Sequence, residues 1–128
     1  MSRRISIRVA TGLVVLLSGV SASAHHSWAR YDGDRIITRT GTVTRVEWAN
    51  PHVIIVFAVT GGDEETVDWT MEMDPPTLLN RYGLRHDVIV EGMQITVTGV
   101  GAKNGAPVMR AVTITLPDGT VQRVSSRV

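Results

Sequence analysis

Most of the chain after residue 36 alternates between apolar and polar positions with the short period of a β-strand. Ile36 to Trp48 is rich in Ile, Val and Thr, and its apolar positions change parity between Val43 and Val46. A bend or bulge explains such a change, and Gly41 eases it. His52 to Thr60 is a continuous apolar run of strand length, which predicts a strand buried on both faces. Thr66 to Met73 alternates cleanly. Val67, Trp69, Met71 and Met73 share one face, while Asp68, Thr70 and Glu72 share the other and are expected at the surface.

The pattern then changes period. Asp74-Pro75-Pro76 reads as a helix start with Asp74 as N-cap, Leu78, Leu79 and Tyr82 form a short apolar face, and Gly83 is the stop. Strand alternation resumes at Met93, Ile95 and Val97. Residues 101–107 (GAKNGAP) carry a hairpin turn, and Pro107 to Leu116 returns as a strand. Pro117-Asp118-Gly119 makes a second turn before a short strand from Thr120 to Val124. The order predicts an all-β fold with one short helix: a small OB-like Greek-key β-barrel of five to six strands, the helix between strands 3 and 4. An immunoglobulin-like sandwich is the rival, and the mid-chain helix and low strand count argue against it.

The first residues follow neither period. Arg3, Arg4 and Arg8 precede an uncharged apolar stretch from Val9 to Val20, and Ala22-Ser23-Ala24 fits a signal-peptidase site. The stretch is shorter than the roughly 20 residues of a membrane span. Residues 1–24 are therefore expected to be an export signal, 25–36 an N-terminal arm, and 37–128 the barrel domain. The expected location is the periplasm or the medium, with no stable membrane insertion after cleavage. The precursor carries 13 basic and 12 acidic residues. Three arginines leave with the signal, so 10 basic residues face 12 acidic ones, a formal charge of −2. That balance argues against a nucleic-acid partner. The chain has no cysteine, which excludes disulfides and thiolate metal sites.

Cleavage after Ala24 gives the new chain end its own chemistry, because His25 becomes the N-terminal residue. Its free amine and its own Nδ1 can close a chelate ring on one ion, and His26 adds a second imidazole. Both kinds of group shed their protons for a metal near neutral pH. A nitrogen-rich tetragonal set suits Cu(II) or Ni(II), so copper is the expected ion. A third imidazole, His52, comes after Trp48-Ala49-Asn50-Pro51 at a strand entrance. The candidate metal ligands are thus His25, His26 and His52. Asn50, Glu72, Trp48 and Trp69 are candidates to orient a ligand or line its face, and Asp74 is a further carboxylate near the end of the third strand. His86 reads as a solvated loop residue, and Met71 and Met73 as core. A binding module for a non-metal small ligand or protein, using Trp48 and Trp69, is the alternative. An enzyme ranks last: no triad, phosphate loop or His-Glu-x-x-His pattern is present.

The combination of His25-His26-Ser27, Thr40-Gly41-Thr42-Val43 and Trp48-Ala49-Asn50-Pro51-His52 resembles a group of small exported bacterial proteins classed as a domain of unknown function. Trp69 to Met73, the Gly92-x-x-Ile-x-Val-x-Gly99 segment and Leu116-Pro117-Asp118-Gly119 are similar as well. The resemblance supplies no activity. It implies that His25, His26, Asn50, Pro51 and His52 belong to one pattern. Ile54-Ile55 stands where aromatic residues are common in such proteins.

Overall fold

A computed structural model describes residues 28–127. The expected export signal, His25 and His26 lie outside the described residues. Among the described residues, six strands and one short helix succeed one another: β1 (Tyr31–Glu47), β2 (Ile54–Thr60), β3 (Thr66–Glu72), α1 (Pro76–Arg81), β4 (Gln94–Ala102), β5 (Val108–Thr115) and β6 (Val121–Arg123). They form one sheet in the order β3-β2-β1-β4-β5-β6, antiparallel between all these neighbours. β3 also pairs in parallel with β5, through Thr70 with Val108, Met71 with Met109 and Glu72 with Arg110.

The long first strand serves two partners in turn. Thr42 to Glu47 pairs with β2, and Ile36 to Thr42 pairs with β4. The register slips between Val43 and Arg45, where the apolar pattern changes parity. Gly41 lies against β2 there, and a Cβ on it would collide with the Ala58 carbonyl oxygen. β1 begins at Tyr31, opposite Ala102, rather than at Ile36. Part of the expected arm is thus strand. The intervening residues break the register, which hides the strand from a periodicity argument.

Burial follows the alternation with two departures. Ile55 and Phe57 of β2 are fully buried, but Ile54, Val56 and Ala58 are only half-buried, so one face meets the core instead of both. Met71, Met73, Ile95, Val97, Met109, Ala111 and Ile114 complete the core, with Leu79 of α1 set into it. The second departure is α1 itself. Pro75 takes the N-cap place and no side chain caps the helix; Asp74 is committed elsewhere. Gly83, at φ +88°, comes after the last turn as expected. Among the described residues, no helix is long and apolar enough to cross a membrane.

Candidate functional site

Glu72 ends β3 on the face expected at the surface, yet it is 5% exposed. The reason is the parallel pairing, which sets Arg110 beside it. Arg110 interrupts the apolar run Val108-Met109-Arg110-Ala111-Val112 and is itself 2% exposed. A buried charge is tolerated only when it is paired and hydrogen-bonded. The Arg110 Nη1 donates to Glu72 Oε1 at 3.0 Å and to the Met73 carbonyl oxygen at 2.9 Å, and Nη2 donates to Asp74 Oδ1. Its Nε has no hydrogen-bond partner.

Asp74, also buried, uses its second oxygen to accept from the backbone N–H of Ser126 at 2.6 Å and from the Tyr82 hydroxyl at 3.2 Å. This commitment, rather than helix capping, fixes its side chain. Glu72 is the busier carboxylate. Its Oε2 accepts from the Tyr31 hydroxyl at 2.8 Å and from Arg30 Nη2 at 3.0 Å. Burial pushes the Tyr31 phenol up to about 12, with the hydrogen bond from Arg30 opposing that rise and the Glu72 contact adding to it. The phenol therefore stays protonated and donates.

His52 completes the cluster. Its Nδ1 lies 2.9 Å from Glu72 Oε1, and its side chain is partly open to solvent. Burial lowers the His52 pKa below its ordinary value; Glu72 pulls the other way, and Arg110 reinforces the lowering. The neutral ring is thus favoured at neutral pH. An ionised carboxylate can only accept, so Nδ1 carries the proton toward Glu72 and Nε2 keeps its lone pair. A carboxylate that fixes the tautomer through Nδ1 and leaves Nε2 as donor is the arrangement metal-binding histidines use.

One aromatic ring covers this cluster. The Trp28 ring lies 5.2 Å from the guanidinium carbon of Arg110 and 5.3 Å from that of Arg127, within cation–π distance of both. Of the residues singled out from sequence, His52, Glu72 and Asp74 therefore meet. Asn50 is exposed in the turn before His52, joined to Pro51 by a cis peptide bond. Trp48 and Trp69 are half-buried against the core, and Arg39 stacks 4.8 Å over Trp69. His86 is exposed, and Met71 and Met73 are core. Among the described residues, no three His, Cys, Asp or Glu side chains converge to hold an ion. Arg110, Tyr31 and Arg30 were not legible as site residues, whereas Trp28 reads from sequence as one of three tryptophans able to line a ligand face or pack at the core or rim. The one signal was a lone arginine inside an apolar strand, which points to a buried ion pair.

Fold and site together define a small β-rich protein with a buried carboxylate–guanidinium cluster that presents one imidazole to solvent. Residues 13–109 match the model of DUF6152, a family of unknown function, and the chain belongs to that family. The match runs from within the apolar N-terminal stretch to Met109 of β5. No curated protein and no solved structure matches the chain.

Proposed function

We propose that the protein is an exported, periplasmic metal-binding protein of OB-like barrel form, which carries or buffers copper through the amine and ring of His25, His26 and the Nε2 of His52. The observation that carries this reading is the His52–Glu72 contact, which holds a neutral, partly solvent-open imidazole by its Nδ1. The position of Trp28 supports it. Trp28 stacks on Arg110, and Arg110 and His52 share one oxygen of Glu72. His25 is three residues upstream, so chain length alone lets it reach about 10 Å from Trp28. The barrel reading rests on the circuit of pairings β1-β2-β3-β5-β4-β1, with α1 between β3 and β4.

The test is titration with Cu(II) of a chain that begins at His25. The expected result is one tight equivalent, weakened by an extra N-terminal Ala and by His52→Ala. Unchanged affinity with the added Ala removes the amine from the site. Unchanged affinity in His52→Ala removes the rim imidazole, and absence of uptake sinks the reading. A non-metal binding module has one observation in its favour. An open groove of about 470 Å³ lies beside the stacked Arg39 and Trp69, bordered by Val59 and Val67. A protein whose stability ignores copper and whose Trp69 fluorescence responds to a small ligand would favour that reading.

A further inference from the structure

Arg30, Ala102, Lys103, Asn104, Ala106 and Val108 line a groove of about 310 Å³. It lies where the turn between β4 and β5 meets the chain leading into β1. Tyr31 pairs with Ala102, and the Lys103 N–H donates to the Arg30 carbonyl at 3.0 Å. The volume is at the lower end of small-ligand pockets. Among the described residues its wall carries two cations and no acidic side chain, with Ala102, Ala106 and Val108 as its apolar part.

Both cations have donors to spare. Arg30 Nη2 donates to Glu72 Oε2 at 3.0 Å and to the Tyr31 hydroxyl at 3.1 Å, which fixes the guanidinium. Among the described residues its Nη1 and Nε have no hydrogen-bond partner, and the side chain is 63% exposed. The Lys103 side chain is exposed, and its ammonium is likewise unpaired among the described residues. A guanidinium fixed in advance loses less freedom when a ligand arrives. The turn's backbone narrows the choice of anion. Phosphate sites draw on backbone N–H groups as well as side chains. Here Lys103 N–H is spent on Arg30, Gly105 N–H on the Ala102 carbonyl, Ala106 N–H on Asn104 Oδ1 and Val108 N–H on the Ala106 carbonyl. Pro107 has none. One guanidinium edge and one ammonium remain, a donor set that suits a planar carboxylate.

We propose that this groove binds a small aliphatic carboxylate, its charge held by Arg30 and Lys103 and its hydrocarbon part covered by Ala102, Ala106 and Val108. The metal-binding reading is not needed for it. The experiment titrates the ¹⁵N-labelled protein with acetate, butyrate and inorganic phosphate, with ionic strength held constant by chloride. Backbone amide shifts should converge on residues 102–108 and on Arg30. Butyrate should bind about tenfold tighter than acetate, because two more methylenes leave water. Phosphate should bind no tighter than acetate. Lys103→Ala should weaken butyrate about fivefold, and Ala106→Asp, which sets a carboxylate in the wall, should weaken it more. Arg30→Gln should cost tenfold or more. That variant also breaks the Glu72 contact, whereas Lys103→Ala and Ala106→Asp leave it in place, so those two decide if Arg30→Gln fails to fold. Shifts scattered over the basic surface, butyrate no tighter than acetate, phosphate tighter than butyrate, or wild-type affinity in both Lys103→Ala and Ala106→Asp would each overturn the proposal.

Discussion

At the scale of single residues, the protein is organised by two buried carboxylates that share one guanidinium. Burying Glu72 and Asp74 side by side depends on Arg110 to pair them, and burying Arg110 depends on them in turn. Tyr31 adds a proton donor to Glu72 that burial keeps protonated, its pKa raised from 10.0 to about 12. The folded chain holds the phenolic proton more tightly than the unfolded chain does. Its contribution to stability is therefore fully present below pH 10.0 and is lost as the pH rises toward about 12. At neutral pH, Tyr31→Phe removes a hydrogen bond to a charged group and should destabilise by about 1.5–3 kcal/mol. Urea unfolding of both proteins should show that gap narrowing above pH 10.0. A gap that stays constant into that alkaline range would mean the phenol does not donate to Glu72.

At the scale of elements, the site depends on how closely β4 and β5 approach. The register between them slips from Thr98 to Gly99, and at Gly99 a Cβ would collide with the Arg110 carbonyl oxygen and stand 2.9 Å from the Ala111 Cα. Backbone cannot yield as a side-chain tip can. Gly99→Ala must therefore push β5 outward at the very residue that serves both carboxylates, and overpacking of this kind costs about 1–3 kcal/mol or more. Gly62→Ala, at a turn position with nothing within 4 Å, is the control and should be close to neutral. Equal melting temperatures for the two variants would show that β5 can shift freely. This close approach also explains what sequence could and could not show. Alternation marks Val67 to Met73 and Met93 to Val97 as strands, and the parity change in β1 marks its bulge, because those signals are local. The burial of Glu72 is not local. It comes from a partner 38 residues further on, brought alongside by a parallel pairing that leaves no trace in periodicity. Asp74 misleads for the same reason: Asp before Pro-Pro looks like a cap, but an arginine 36 residues away claims it.

At the scale of the whole molecule, both ends of the described chain close over this pair of acids. The N-terminal side reaches Glu72 through Arg30 and Tyr31, and the C-terminal side reaches Asp74 through the Ser126 N–H. The last described segment is firmly fixed. Val124 donates to the Val112 carbonyl and accepts from the Asp74 N–H, Ser125 is fully buried, and Arg123 Nε donates to the Ser125 carbonyl at 2.7 Å. Two variants separate its roles. Among the described residues, Arg127→Ala removes the contact with the Trp28 ring, and it should lower stability by about 0.5–1 kcal/mol. A chain stopped after Ser125 loses, in addition, the backbone donor to Asp74, and it places a new terminal carboxylate near that buried acid. A hydrogen bond to a charged group contributes about 1.5–3 kcal/mol, and like-charge repulsion adds to its loss, so truncation should destabilise clearly more than Arg127→Ala even though the Tyr82 hydroxyl still serves the same Asp74 oxygen. Denaturant melts of the two variants decide the matter. A truncated chain no less stable than Arg127→Ala would show that solvent replaces the Ser126 N–H at no cost, and that the C-terminal segment does not seal the cluster.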